Sequence, residues 1–163
     1  MPRVQTRKYT KRPSKAQPRH AIWVLVADVG RARLLEAVRE DGGLSEIDDV
    51  INAEARLRDL DVVSDRTGHV NRGADGVGNS FEPRQWHIDR AAEMFAKSLC
   101  KRLSAARRTG DVDRIYLVAG PEFLGLLRKN LDRATQRIVA AERATDITRR
   151  SITKIRESLP ATL

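Results

Sequence analysis

Histidines and aspartates are the side chains of this sequence that could carry acid–base chemistry or bind a metal. The three histidines are His20, His69 and His87, and no HxxxH or HExxH spacing pairs two of them on one helix face. No GxSxG nucleophile elbow occurs either. We therefore predict no catalytic residue and no metal site, and expect the histidines to be solvated or capping groups. The same expectation holds for the carboxylates of Asp28, Asp65, Asp75 and Asp89.

A glycine-rich segment precedes residue 86, and glycine lets backbone amides approach a phosphate. The residues Gly73 to Gly78 read GxxGxG, which reverses the dinucleotide-binding fingerprint, and no GxxxxGK[ST] P-loop occurs. The whole stretch from Asn52 to Gln85 is long and poorly patterned, which is typical of a functional or mobile loop. We predict a flexible surface loop here and no nucleotide or other cofactor.

The basic charge is concentrated at one end of the chain. The protein has 163 residues and a formal net charge of +9. The first twenty residues carry seven basic side chains and no acidic one, whereas the other 143 hold 24 basic and 22 acidic residues. This arm, residues 1–20, has no hydrophobic periodicity, and we predict that it is disordered and binds nucleic acid by releasing counterions. An anionic membrane surface or a solubilising role are the alternatives. Its cations are Arg3, Arg7, Lys8, Lys11, Arg12, Lys15 and Arg19.

Several absences favour the cytoplasm. One cysteine, Cys100, permits no intramolecular disulfide. No apolar run reaches the length of a membrane-spanning helix, and the arm lacks the apolar core of a secretory signal. A transit peptide is the alternative, but Pro2, Pro13 and Pro18 would break its amphipathic helix. We predict a cytoplasmic protein with no membrane span.

Residues 21–163 read as one α/β domain in which strands alternate with helices. Apolar runs predict strands, and apolar residues recurring every three or four positions predict helices. Gly110 is expected to end the long helix. The predicted strands are Ala21–Ala27, Ala32–Val38, Leu44–Ile51, Ile115–Ala119 and Arg137–Glu142; the predicted helices are Trp86–Arg108, one from Pro121 to about Leu131, and Asp146–Leu159.

The long predicted helix has one apolar and one basic side. Ile88, Ala92, Phe95, Leu99, Leu103 and Ala106 form the apolar stripe. Lys97, Lys101 and Arg108 lie away from it, and the last helix similarly carries Arg149, Arg150, Lys154 and Arg156 outward. Such basic stripes either follow a phosphate backbone or are merely the wetted face of an amphipathic helix.

Three separate blocks of the sequence resemble a known family. They are Trp23–Leu34, Ser64–Gly68 and Leu117–Arg128, and they are similar to the bacterial "protein required for attachment to host cells" family. That family is distantly similar to the central domain of archaeal and eukaryotic peptide-chain release factors and of Pelota. The resemblance implies a three-layer α/β domain with a mixed β-sheet flanked by helices.

The resemblance also bears on activity. Release factors carry Gly-Gly-Gln in a loop before the long helix, and the corresponding segment here, Gly68 to Gln85, lacks that tripeptide. The resemblance therefore implies a relative without termination activity. The family label suggests an attachment role, which a cytoplasmic protein would exert indirectly.

These observations together predict a non-catalytic, translation-associated protein of the rescue or stress type, whose partner is ribosomal or other structured RNA or the ribosome itself. The basic arm is expected to thread among phosphates, and the glycine-rich loop from Asn71 to Gln85 to act as a probe. A small hydrolase using Asp28, Asp65 and the glycine loop is one alternative, and a protein-binding attachment factor is another. The sequence specifies no oligomeric state. The predicted RNA-binding residues are the seven arm cations together with Arg72, Arg84, Lys97 and Lys101.

Overall fold

Five strands and four helices follow one another in the computed structural model, which describes residues 21–38, 42–55, 81–161 and 163. Apolar runs form the central strands, as expected for strands covered on both faces. In chain order the elements are β1 (Ile22–Ala27), β2 (Arg31–Ala37), β3 (Leu44–Ile51), α1 (Phe81–Thr109), β4 (Arg114–Ala119), α2 (Pro121–Asn130), α3 (Arg133–Gln136), β5 (Val139–Ala144) and α4 (Ile152–Glu157).

The strands form one mixed sheet in the order β3-β2-β1-β4-β5. β1 pairs antiparallel with β2, and β2 with β3, as the two predicted turns require. β1 pairs parallel with β4, and β4 with β5, so that Leu25 lies opposite Leu34 on one side and Leu117 on the other. Parallel neighbours need crossover connections, which α1 and α2 supply.

Two hydrophobic layers enclose the sheet. On one face α1 and α2 pack against it, and Phe95 of α1 contacts Phe123 of α2 with ring centroids 6.0 Å apart. The opposite face is covered by the C-terminal segment, whose Ile155 and Leu159 pack on Val24, Val118 and their neighbours. The protein therefore has the predicted three-layer α/β fold with a mixed sheet. Five residues of the predicted apolar stripe of α1 are buried, and Ile88 is half-buried. The helix begins at Phe81 rather than at Trp86, so the loop predicted over residues 52–85 does not extend to Gln85.

The structure corrects two predicted elements near the C-terminus. β5 begins at Val139 rather than Arg137, because residues 133–136 form the short helix α3. The last helix begins only after Ser151, whose hydroxyl accepts a hydrogen bond from the Lys154 amide. Residues 146–150 are not helical, because the Asp146 carboxylate accepts the Thr148 amide and closes a local turn instead. Gly110 ends α1 at a φ of 76°, as predicted, since a left-handed residue favours glycine.

A buried arginine ties the C-terminal segment to the sheet. Arg33 of β2 is only 7 % exposed. Its guanidinium donates to the Glu46 carboxylate at 2.5 Å and to the carbonyls of Thr148 and Arg150 at 3.2 and 2.7 Å. Arg156, predicted to point outward, lies near the surface and donates to the carbonyls of Gly42, Pro160 and Ala161. Arg33 and Arg156 thus attach the C-terminal segment to the rest of the domain at two points, because a planar guanidinium can donate to several acceptors at once.

Cys100 lies at the centre of the contact between α1 and α2. Its side chain is 2 % exposed, and its Sγ lies 3.5 Å from the carbonyl oxygen of Leu127. Burial raises the pKa of the Cys100 thiol to about 12, with the negative charge of Asp132 adding to the effect. Only about one thiol in ten thousand would then be ionised at pH 8, so the thiol is a packing group.

We expect Cys100 to resist thiol reagents as long as the protein is folded. A disulfide-exchange reagent at pH 8 should modify the native protein at least about a hundredfold more slowly than the unfolded chain, because the thiolate is the reactive form and the sulfur is enclosed. The control is the same reaction in guanidinium, which should reveal one thiol per chain. Rapid modification of the native protein would contradict the closed α1–α2 contact.

None of the helices in the part of the chain that the structure describes combines the length and the apolarity that crossing a membrane requires.

Candidate functional site

Asp28 is the described residue on which a hydrolytic role would depend, and it lies at the turn between β1 and β2. Its Oδ1 accepts the amides of Gly30 and Arg31 at 2.6 and 2.7 Å, and its Oδ2 accepts the hydroxyl of Thr148 at 2.5 Å. Both oxygens therefore stabilise the fold by closing the turn and holding residue 148. Asp65 and the glycine loop, the other parts of that hypothesis, lie outside the described residues.

A second group of polar side chains surrounds Asp132, at the start of α3. Its carboxylate accepts hydrogen bonds from the Ser104 hydroxyl and from the Thr135 hydroxyl and amide. These hydrogen bonds, with a smaller contribution from the charge of Arg107, hold the pKa of Asp132 well below its usual range. The arrangement is a helix cap that joins α3 to α1. Across residues 21–38, 42–55 and 81–161, no three His, Cys, Asp or Glu side chains converge as a metal site would need.

A groove of about 210 Å³ runs between β5 and the C-terminal segment. Its charged side chains are already bonded within the chain, since Glu142 accepts from Arg128 at 2.5 Å and Arg143 donates to the Ser158 carbonyl. The groove therefore offers mainly a small apolar surface formed by Tyr116, Leu159 and Pro160.

The exposed side of α1 has a different character. Trp86, Arg90, Met94, Lys97 and Lys101 are spaced by four, four, three and four residues, a spacing that places them in one row along a helix. We call this row the α1 stripe. It lies opposite the face of α1 that packs on the sheet, and Trp86 and Met94 are each 57 % exposed. Large apolar side chains and cations thus share one solvent-facing surface.

The indole of Trp86 is held by its neighbours on the helix. The guanidinium carbon of Arg90, one turn later, lies 5.5 Å from the centre of the Trp86 ring, which is a cation–π contact. The ring of His87 meets the indole edge-on, with centroids 4.9 Å apart. These contacts restrict the indole without burying it, so its aromatic surface remains open to solvent.

Ion pairing divides the cations of α1 into two groups. Arg102 pairs with Asp48 of β3, and Arg107 lies near Asp132 and bonds to the Thr135 hydroxyl. By contrast, Lys97 and Lys101 are exposed and form no ion pair with a described residue. The two lysines, like Arg90 and Arg108, are thus α1 cations that no described carboxylate neutralises through an ion pair.

Glu93 is an acidic residue of α1 beside the stripe, and its carboxylate pairs with a lysine of α2. Its carboxylate accepts the Lys129 ammonium at 3.0 Å. This hydrogen bond and the charge of Lys129, with lesser contributions from Lys97 and Arg90, lower the pKa of Glu93 below its usual value. Because Glu93 faces α2, the stripe keeps a net positive charge.

The structure describes two of the predicted RNA-binding side chains, Lys97 and Lys101, and brings both onto the stripe. Arg84 lies within α1, but its side chain is outside the described residues. Sequence reasoning missed Trp86, Arg90 and Met94, although their three- and four-residue spacing to the two lysines would have revealed the shared face. The remaining predicted residues lie outside the described part of the chain: Arg3, Arg7, Lys8, Lys11, Arg12, Lys15, Arg19 and Arg72.

Comparison with known proteins gives one family and a distant structural likeness. A family model described as "Protein required for attachment to host cells" matches residues 23–159. Among solved structures, the chain is similar to an archaeal translation termination factor, with a TM-score of 0.46, 11 % sequence identity and 87 % of this chain covered. The chain spans 36 % of the length of that protein's chain. No curated protein matches the chain by sequence.

Proposed function

We propose that this chain, which belongs to the family of proteins required for attachment to host cells, is a non-catalytic RNA-binding protein that affects attachment indirectly. The family resemblance predicted from the sequence blocks is confirmed. The family description specifies a process and no ligand, so the ligand is inferred from the chain's own surface. The proposed ligand is ribosomal or other structured RNA, and the proposed place of binding is the cytoplasm.

The α1 stripe is the observation that carries this proposal. RNA-binding surfaces combine cations that contact phosphates with aromatic side chains on which bases stack. The stripe offers both, since Lys97 and Lys101 form no ion pair with a described residue and Trp86 is exposed beside Arg90. The exposed side of α1 also carries Asp89, so its large apolar groups, Trp86 and Met94, are what distinguish it from a merely solvated helix face.

The arm supports the same ligand by its charge. Seven cations without an acid in residues 1–20 form a polycation, and phosphate neutralisation with counterion release is its main source of affinity for a nucleic acid. In the proposed complex the arm supplies most of the electrostatic attraction. The α1 stripe then fixes the position of the RNA on the folded domain.

A protein-binding role in attachment is the second candidate, and the family description is the observation that favours it. The same exposed Trp86 and Met94 would then contact a protein partner. The two candidates differ in their response to salt, because RNA binding weakens steeply with ionic strength whereas an aromatic protein contact does not.

The proposal is tested by replacing Lys97 and Lys101 together with glutamine and measuring the anisotropy of a labelled hairpin RNA. We expect an affinity about tenfold lower and a slope of log K against log salt that is shallower by about 1 to 2, since each phosphate contact contributes roughly one unit. The matched control is Arg149→Gln with Lys154→Gln, which removes the same charge from the C-terminal segment, on the other side of the sheet.

The control pair should change the affinity less than about twofold, because long-range effects of net charge are screened within a Debye length. Equal losses in the two variants would mean that net charge alone drives binding and that α1 has no site. Co-sedimentation with ribosomes at low and high salt distinguishes ribosomal RNA in its native assembly from free RNA.

A further inference from the structure

We infer that Trp86 and Arg90 form a stacking site for an unpaired nucleobase, so that the preferred RNA carries an unpaired base beside the backbone segment held by Lys97 and Lys101. This inference rests on the proposed RNA-binding function and specifies the kind of RNA. It assigns a distinct task to each end of the α1 stripe: base stacking at the N-terminal end and phosphate contacts toward the C-terminal end.

The first support is the exposure of Trp86. In the described part of the chain, only Ile51, Trp86 and Met94 are large hydrophobic residues that are substantially exposed. Trp86 and Met94 lie on the stripe, two helical turns apart, so they belong to one exposed helix face and are not scattered over the surface. An indole that contributes little to the core is available as a contact surface, and every nucleobase has a π-face that can stack on it.

The second support is the way in which the indole is held. Arg90 covers one face of the ring, and His87 abuts its edge. A base can therefore stack on the other face of the indole or on the guanidinium plane itself, both of which are established platforms for unstacked bases. Because the indole is already restrained, binding loses less side-chain entropy than it would with a freely rotating tryptophan.

The third support is the distance between the two ends of the stripe. At 1.5 Å per residue, Lys97 and Lys101 lie about 16 and 22 Å along the helix from Trp86. A stacked strand rises about 3.4 Å per nucleotide, so these distances correspond to roughly five to seven nucleotides. A fully paired duplex would present phosphates to the lysines but no free base face to Trp86. A hairpin with an unpaired loop presents both.

Charge favours RNA over the other occupants of such a face. A protein-docking surface around an exposed tryptophan does not require uncompensated lysines, whereas a polyanion does. The stripe contains three cations and no acid; of the two acids beside it in α1, Asp89 and Glu93, the second is engaged by Lys129. An anionic lipid surface would also attract these cations, and it is separated from RNA by the experiment.

The experiment compares the full chain on two RNAs of equal length, a hairpin with an unpaired loop and a blunt duplex. We expect the hairpin to bind at least about tenfold more tightly. Trp86→Ala should lower hairpin affinity about 5- to 100-fold and duplex affinity less than about twofold, in line with the cost of losing one stacked base. Trp86→Phe should retain most of the hairpin affinity, and Ile51→Ala, which removes an exposed hydrophobic residue outside the stripe, should change neither.

Each other outcome has a definite meaning. If Trp86→Ala changes neither RNA, or both equally, the stacking site is overturned, while an effect of Lys97→Gln with Lys101→Gln still upholds the proposed function. If the unaltered protein binds neither RNA, the proposed function falls as well. Binding to phosphatidylserine vesicles in place of RNA, with the loss in Trp86→Ala, would overturn both and assign the stripe to a membrane surface.

Discussion

Replacing the seven basic residues of the arm with glutamine is expected to remove most of the salt dependence of RNA binding. If five to seven of these cations each neutralise a phosphate, they contribute roughly −4 to −6 to the slope of log K against log salt. The replacement should leave a residual slope of about −1 to −2 from the α1 stripe. Affinity at about 50 mM salt should fall by roughly five orders of magnitude or more, since the lost slope acts over about 1.3 decades of salt below 1 M. Titration of a labelled hairpin at several salt concentrations measures both quantities, and deletion of residues 1–20 should give the same result.

Two controls separate charge from other properties of the arm. Exchanging each arm lysine for arginine and each arm arginine for lysine keeps the charge and should keep the slope. Adding Lys97→Gln and Lys101→Gln to the neutralised arm should remove most of the remaining slope, because the two sets of cations act on different phosphates. An unchanged slope after neutralisation of the arm would exclude it from the RNA contact.

Arg33→Met is expected to lower the free energy of unfolding by about 2–4 kcal/mol. Arg33 is the partner of Glu46 and of two carbonyls in residues 148–150. Removing the guanidinium leaves a partly buried carboxylate and two carbonyls without their donors, and the unmet desolvation cost destabilises the fold. Urea unfolding followed by circular dichroism measures the change.

The matched control is Arg31→Met, two residues earlier on the same strand. Arg31 pairs with Asp49 at 2.5 Å, but both side chains are more than one-third exposed, so we expect a loss below about 1 kcal/mol. A second variant tests the reason for the effect: adding Glu46→Leu to Arg33→Met should recover part of the stability, because the stranded carboxylate is then gone. Equal losses for Arg31→Met and Arg33→Met would show that burial of the pair is unimportant.

Local sequence signals predicted most elements of the fold. The apolar run at Ala21–Ala27 became β1, the apolar stripe of α1 became its buried face, and Gly110 ended that helix. Each of these features depends on residues within a few positions of one another, so periodicity and turn chemistry suffice to identify it. The C-terminal helix was predicted too long, because the competition between its backbone and the side chains of Asp146 and Ser151 has no periodic signature.

Local sequence patterns predict only part of the candidate site. Lys97 and Lys101 were identified as basic residues away from the core, but Arg108 lay on the same side and Arg102 and Arg107 were equally basic. Which of these cations is neutralised depends on Asp48 and Asp132, which are 54 and 25 positions away from their arginines in the chain. Long-range proximity of this kind follows from the order of the strands and the seating of the helices, neither of which local patterns encode.

The sequence by itself determined the separation of the charge, a seven-cation arm attached to a nearly neutral domain, because charge is a property of residue type and needs no fold. It also determined the two-sided character of α1, because the helical period alone assigns residues to faces. Only the tertiary structure decided which α1 cations remain uncompensated and that Trp86 lies in solvent beside Arg90. Those properties arise because the sheet, α2 and α3 pack against one side of α1 and engage Arg102 and Arg107, while its other side stays exposed.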